Sequence, residues 1–202
     1  MRVEPFYIGR TEVTWDMYDT FALAGNPARG SADAVARPSR PYGAPDYGWG
    51  HAGFPAISIA RAGAQAFAAW LSSRTGKKYR LPTEAEWLRA AQLAAPDPAT
   101  PIDAYAWFEG NSGGKTHPVG SRKPDALGLS DLFGNAAEWI TTDQANANVT
   151  RGGSIYSARD AVGPNARAVQ EDWWNDRDPQ IPKSRWWLSD GPFVGFRLVR
   201  EP

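Results

Sequence analysis

The chain has 202 residues, 42% hydrophobic and 22% charged, a balance that fits one soluble globular domain with a real core. Lys plus Arg and Asp plus Glu number 22 each, so there is no basic excess of the kind that nucleic-acid binding requires, and no run of about 18 apolar residues is present to span a membrane. Cysteine is absent and histidine is limited to His51 and His117, which excludes disulfides, thiolate metal sites, cysteine nucleophiles and a three-histidine metal site within the chain.

In chain order, residues 6–13 read as a short strand, and Thr14 stands where a helix cap belongs. Trp15, Tyr18, Phe21 and Ala22 follow at helical spacing, with Gly25 as the stop. Residues 26–54 are rich in Gly and Pro and predict a long loop pinned by Tyr42, Tyr47 and Trp49. Ser58 is the next cap candidate, for a helix through Arg74 with Phe67, Trp70 and Leu71 on one face and Gly76 as its left-handed stop. Thr83 and Glu86 form a capping box that opens a third helix to Ala94, and 95–103 reads as loop. Beyond it the sequence breaks into short apolar pieces, of which 193–199 reads as a strand. Helices first and a coil-rich half with short strands second predict an α+β fold in a single domain over 1–202. Ten tryptophans in so short a chain point to aromatic anchors within irregular backbone.

Several segments occur together in order. They are Ile8-Gly9-Arg10-Thr11-Glu12-Val13-Thr14, then Tyr79-Arg80-Leu81-Pro82-Thr83-Glu84-Ala85-Glu86-Trp87, Gly128 to Trp139 with its Gly134-Asn135-Ala136-Ala137-Glu138-Trp139 core, Arg151-Gly152-Gly153-Ser154, and Val194-Gly195-Phe196-Arg197-Leu198-Val199. The pattern resembles the sulfatase-modifying-factor family, typified by the formylglycine-generating enzyme, over residues 6 to 200. The resemblance implies a loop-rich, C-type-lectin-like α+β fold with two to three helices and short antiparallel strands. The segment from Asp178 to Ser184, followed by Trp186 and Trp187, looks like a bacterial subgroup of that family. The chain begins after the position of the family's further N-terminal strand and its Phe-x-Met-Gly signature. No hydrophobic signal core opens it, so the expected protein is soluble, either cytoplasmic or exported after loss of a leader.

The resemblance carries two expectations about metals. In the formylglycine-generating enzyme a structural calcium is held at positions matching Asp131, Gly134, Ala136 and Glu138, and hard oxygen donors of this kind suit calcium. The alternative is that Asp131 caps a turn while Glu138 pairs with Arg151 or Arg197. The same enzyme binds copper through two thiolates downstream of its Arg-Gly-Gly-Ser segment, and here those positions are Ser157 and Val162. Serine is a poor soft-metal ligand and valine is none, so formylglycine synthesis by that route is rejected, and no copper is expected. An iron site would need His51 and His117 with a carboxylate; His117 reads better as a hydrogen-bonding structural residue. Asn148-Val149-Thr150 matches the glycosylation pattern, a short match that recurs by chance.

The expected protein is therefore a monomer that binds a protein or small-molecule ligand without making formylglycine. Its surface would lie near the former active site, at Ile155, Tyr156, Ser157, Trp173, Trp174, Trp186 and Trp187. The carboxylates Glu171, Asp172, Asp176 and Asp178 interleave with two of these tryptophans and would form a ligand rim or a solvated loop. The alternative is an enzyme of different chemistry, an oxidative maturation step like that of pyoverdine-biosynthesis relatives, with His117, Tyr156, Arg159 and Asp160 converging in the same groove.

Overall fold

The computed structural model describes residues 3–23, 45–94, 99–144 and 147–202. Strand β1 (Tyr7–Ile8) leads into helix α1 (Trp15–Ala22), then α2 (Arg61–Thr75), strand β2 (Tyr79–Arg80), α3 (Glu84–Leu93) and a single turn, α4 (Glu109–Ser112). Strands β3 (Ala137–Ile140), β4 (Val149–Gly152), β5 (Gly163–Val169), β6 (Val194–Gly195) and β7 (Val199–Arg200) complete the chain. The fold is α+β and loop-rich, as the sequence predicts. Gly25, Tyr42 and most of the 26–54 loop lie outside the described residues. Among the described residues no helix is long and apolar enough to cross a membrane.

Local chemistry explains the helix boundaries. Thr14 precedes α1 with extended backbone, but its side chain makes no capping bond; its carbonyl accepts from Tyr18 N at 2.9 Å. Helix α2 begins at Arg61 after Ala60, two residues later than a cap at Ser58 would set it. Ser58 instead sits in a left-handed turn (φ 59°), wholly buried, with its hydroxyl on the Tyr47 hydroxyl at 3.4 Å. Gly76 does close α2 in the left-handed conformation. The capping box of α3 is present, with Glu86 N on Thr83 Oγ1 at 3.2 Å and Thr83 N on Glu86 Oε2 at 2.8 Å. Arg80 then grips both Glu86 oxygens at 2.7 Å and ties β2 to the start of α3.

Among the described residues the strands form two small sheets. One has the order β1-β7-β2, all antiparallel; the other has the order β5-β4-β3-β6, with only the β3–β6 pair parallel. The predicted strand over 193–199 is two pieces. Val194–Gly195 pairs with β3 in one sheet, and Val199–Arg200 pairs with β1 and β2 in the other. Between them Phe196 and Leu198 carbonyls accept from Val13 N and Gly9 N at 2.9 Å, so the 6–13 segment follows the crossover as irregular extended chain beyond β1. Two apolar cores result. One gathers α1 and α2 around Tyr18, Phe67, Trp139 and Phe196; the other gathers α3 around Trp87, Phe108, Leu132 and Val149.

Candidate functional site

Arg197 lies at the crossover and is fully buried. Its guanidinium donates to Glu138 Oε1 (Nε, 2.9 Å), to the Gly9 carbonyl (Nη1, 2.8 Å) and to the Ser130 carbonyl (Nη2, 2.8 Å). Glu138 Oε2 accepts from Trp87 Nε1 at 2.9 Å. One charged group thus bonds the chain after β1, strand β3 and the 130s turn, and Trp87 adds α3. Glu12 and Asp131 are buried beside it. Burial, then the neighbouring Asp131 charge, pushes the Glu12 carboxyl well above the usual carboxylate range. Asp131 is pushed up to about 6, chiefly by burial. Burial opposes the charge on Arg197, but Glu138 and the two further acids hold its pKa above the ordinary value.

This geometry places the four calcium-matched positions. Glu138 is paired with Arg197, while Arg151 pairs with Glu84. Asp131 turns with φ 55° and accepts from Gly120 N at 2.6 Å. Of the two carboxylates, only Asp131 Oδ1 has no partner. In this arrangement Glu138 is committed to the buried Arg197 guanidinium, whose charge opposes a cation placed beside it. Gly134 has a separate duty: at φ 78° a Cβ there would run into the Trp107 carbonyl.

The histidines have their own partners. His51 bridges Asp19 (Nε2, 2.9 Å) and Asp46 (Nδ1, 3.0 Å) and stacks on Trp15; the Asp19 bond, with Asp46 behind it, raises its pKa. His117 stacks on Trp107 at 3.6 Å and bonds the Ser112 carbonyl through Nε2 at 2.8 Å; burial lowers its pKa. Among the described residues no three His, Asp or Glu side chains are arranged to hold a metal.

An open groove of about 610 Å³ lies between β5, the loop after β4 and the 3₁₀ turn at Asp172–Asn175. Ser157 and Val162, the positions that the resemblance matches to the copper thiolates of the formylglycine-generating enzyme, both line it. Its loop wall is a tight polar turn: Ser154 N donates to Ser157 Oγ at 3.0 Å, Ser157 N to the Ser154 carbonyl at 3.0 Å, and Tyr156 N to Ser154 Oγ at 3.2 Å. That turn projects Tyr156 outward, 48% exposed. Tyr156, Phe193 and Trp173 make a row, with ring centroids 5.8 Å apart at each step, and Trp174 packs edge-on behind Phe193 at 5.0 Å.

Tyr156, Ser157, Trp173 and Trp174 of the expected surface line the groove, Trp174 as buried backing. Ile155 and Trp186 are buried and do not belong to it; Ile155 N donates inward to the Asn135 carbonyl at 3.1 Å. Trp187 forms an isolated antiparallel bridge with Ile59 and is not in the lining either. Of the catalytic candidates, Tyr156 and Asp160 line the groove, whereas His117 is tied up beside Trp107 and Arg159 is paired with Asp103 at 2.5 Å. The four therefore do not converge. Asp178 is no rim residue: it is buried and accepts from Ser184 N, Gln180 N and Asn175 Nδ2. Asn148 lies against Gln170 at 3.0 Å, with the rest of its triplet buried in β4. Phe193 and Glu12 escaped the sequence reading. Phe193 precedes a strand and looks like core; a buried glutamate in an opening strand carries no periodic signal.

The comparisons with known proteins agree with this architecture. The sulfatase-modifying factor enzyme 1-like domain matches residues 1–202. The formylglycine-generating enzyme of Mycobacterium tuberculosis is 35% identical over 109 residues, 46% of this chain and 34% of that protein, so the match spans about a third of the relative's length. The structure of PvdO from Pseudomonas aeruginosa superposes with a TM-score of 0.71 at 26% identity, covering 98% of this chain and 81% of PvdO. CarF (TM-score 0.70, 24% identity, 100% of this chain and 88% of CarF) and Treponema denticola variable protein 1 (0.68, 24%, 98% and 84%) share the fold. With the whole chain matched, the protein belongs to the sulfatase-modifying factor enzyme 1-like domain family.

Proposed function

We propose that this domain is a ligand-binding member of its family, working through the aromatic groove and not through formylglycine synthesis. The observation that carries the reading is the pairing of two facts at one place. The positions of the copper thiolates are Ser157 and Val162, and the groove over them remains open and aromatic. Its volume of about 610 Å³ suits a small molecule, and exposed aromatic rings supply contact area at little entropic cost. The domain acts as a monomer in this reading.

A second reading, an enzyme of different chemistry, draws on Tyr156 and Asp160 lining the same groove. Burial raises the Tyr156 pKa, which makes it a weaker acid at neutral pH. The test is a backbone amide NMR screen with small uncharged aromatic and aliphatic fragments. Shifts centred on residues 153–173 and on Phe193, lost in Trp173→Ala, support the groove as the binding site. Shifts elsewhere, unchanged by Trp173→Ala, reject it. Chemical conversion of a bound fragment, abolished by Tyr156→Phe or Asp160→Asn, would select the enzyme reading.

A further inference from the structure

We infer that the groove takes a small organic ammonium ion, with its alkyl part on the Tyr156–Phe193–Trp173 row and its charge facing Asp160 and Glu171. The inference rests on the groove being a binding site and adds the class of ligand.

Charge accounting within the groove leads to this assignment. Asp160 and Glu171 both line the groove, both are exposed, and neither has an ion-pair partner among the described residues. The arginine next to Asp160 in sequence, Arg159, is drawn away to Asp103 at 2.8 and 2.5 Å. The single cation in the lining, Arg167, is occupied by Glu84 at 2.9 Å and Gln144 at 2.8 Å. An anionic ligand would meet two uncompensated carboxylates, whereas an ammonium ion would neutralise them.

The rings point the same way. An aromatic face carries a negative quadrupole and attracts a cation placed over it. Trp173 is 45% exposed and Tyr156 48%, and the described residues place no cation over either ring: the arginines and lysines that sit on rings do so at Trp70, Tyr105, Trp107, Trp186 and Tyr7. Both acids belong to the segments that carry the rings. Asp160 belongs to the loop that carries Tyr156, and Glu171 immediately precedes the turn that carries Trp173.

The experiment titrates the protein with n-pentylammonium, pentane-1,5-diammonium and the neutral analogue 1-pentanol at low salt, read by amide NMR and tryptophan fluorescence. The expected result is about tenfold tighter binding of pentylammonium than of pentanol, with the diammonium tighter still, and several-fold weakening in high salt. The double variant Asp160→Asn, Glu171→Gln, whose side chains are exposed, should keep its melting temperature and bring pentylammonium to within about threefold of pentanol. Equal binding of amine and alcohol in the wild type, or amine binding unchanged in the double variant, overturns the inference and leaves the groove reading standing. Silence toward the amines in a protein that still responds to neutral fragments does the same. Silence toward every probe sinks both. Tighter binding of a lysine-bearing peptide than of the free amines would assign the site to a protein segment and overturn the small-molecule assignment.

Discussion

The Arg197 node and the aromatic groove both gather charged groups, and they treat them in opposite ways. At the node the guanidinium has protein acceptors on every nitrogen, and solvent is excluded. In the groove Asp160 and Glu171 are exposed, and neither has an ion-pair partner among the described residues. A buried charge is tolerated only when paired, so the node must be completed by the protein itself. An exposed carboxylate has no such constraint, so the groove can leave its charges for a ligand. The difference teaches that a buried charge fixes its partners within the fold, whereas an exposed one does not.

The largest expected effect breaks the node. Arg197→Leu leaves Glu138, Asp131 and Glu12 buried without a cation and should cost about 3–5 kcal/mol, enough to unfold a marginal domain, as read by urea denaturation. A loss under about 1 kcal/mol would show that the guanidinium does not join the sheets. Next, Gly134→Ala puts a Cβ against the Trp107 carbonyl at positive φ and should cost roughly 2–3 kcal/mol by the same assay.

Acid titration sharpens the comparison further. Glu12 and Asp131 have folded pKa values above their unfolded ones, so the native state holds protons that the unfolded chain releases. Their contribution is complete below the unfolded values near 4 and is lost as pH rises toward 6 and beyond. Relative to Glu12→Gln, the wild type should therefore gain melting temperature as pH falls from 7 to 5. Parallel melting curves for the two proteins would remove Glu12 from the node's titration. Groove changes should sit at the other extreme. Trp173→Ala is expected to change stability by less than about 1 kcal/mol while abolishing fragment binding. Calcium completes the series: with Glu138 held by Arg197, neither EDTA nor added calcium should move the melting temperature. A clear calcium-dependent rise would mean that the ion can displace the guanidinium.

Much of the frame was legible in the sequence because local chemistry governs it. The Thr83–Glu86 capping box and the Gly76 stop act within a few residues of backbone, and both stand as read. Ser58 failed as a cap because a long-range contact with Tyr47 and burial held it in a turn. The 193–199 alternation was read as one strand because period two reports extended backbone; it says nothing about which sheet the backbone joins. Glu138 had two candidate arginines. Register places Arg151 directly across from it, yet its carboxylate goes to Arg197, 59 residues along the chain.

The same division runs through the site. From the sequence came the family pattern, the α+β class and the absence of any cysteine, since each is a matter of residue identity or short-range spacing. Tertiary structure alone decided which tryptophans face solvent, that Phe193 joins them in a row, that Arg159 turns to Asp103, and that Asp160 and Glu171 line the same groove. The physical reason is that exposure and ion pairing depend on segments far apart in the chain being packed together, and no local pattern encodes that packing.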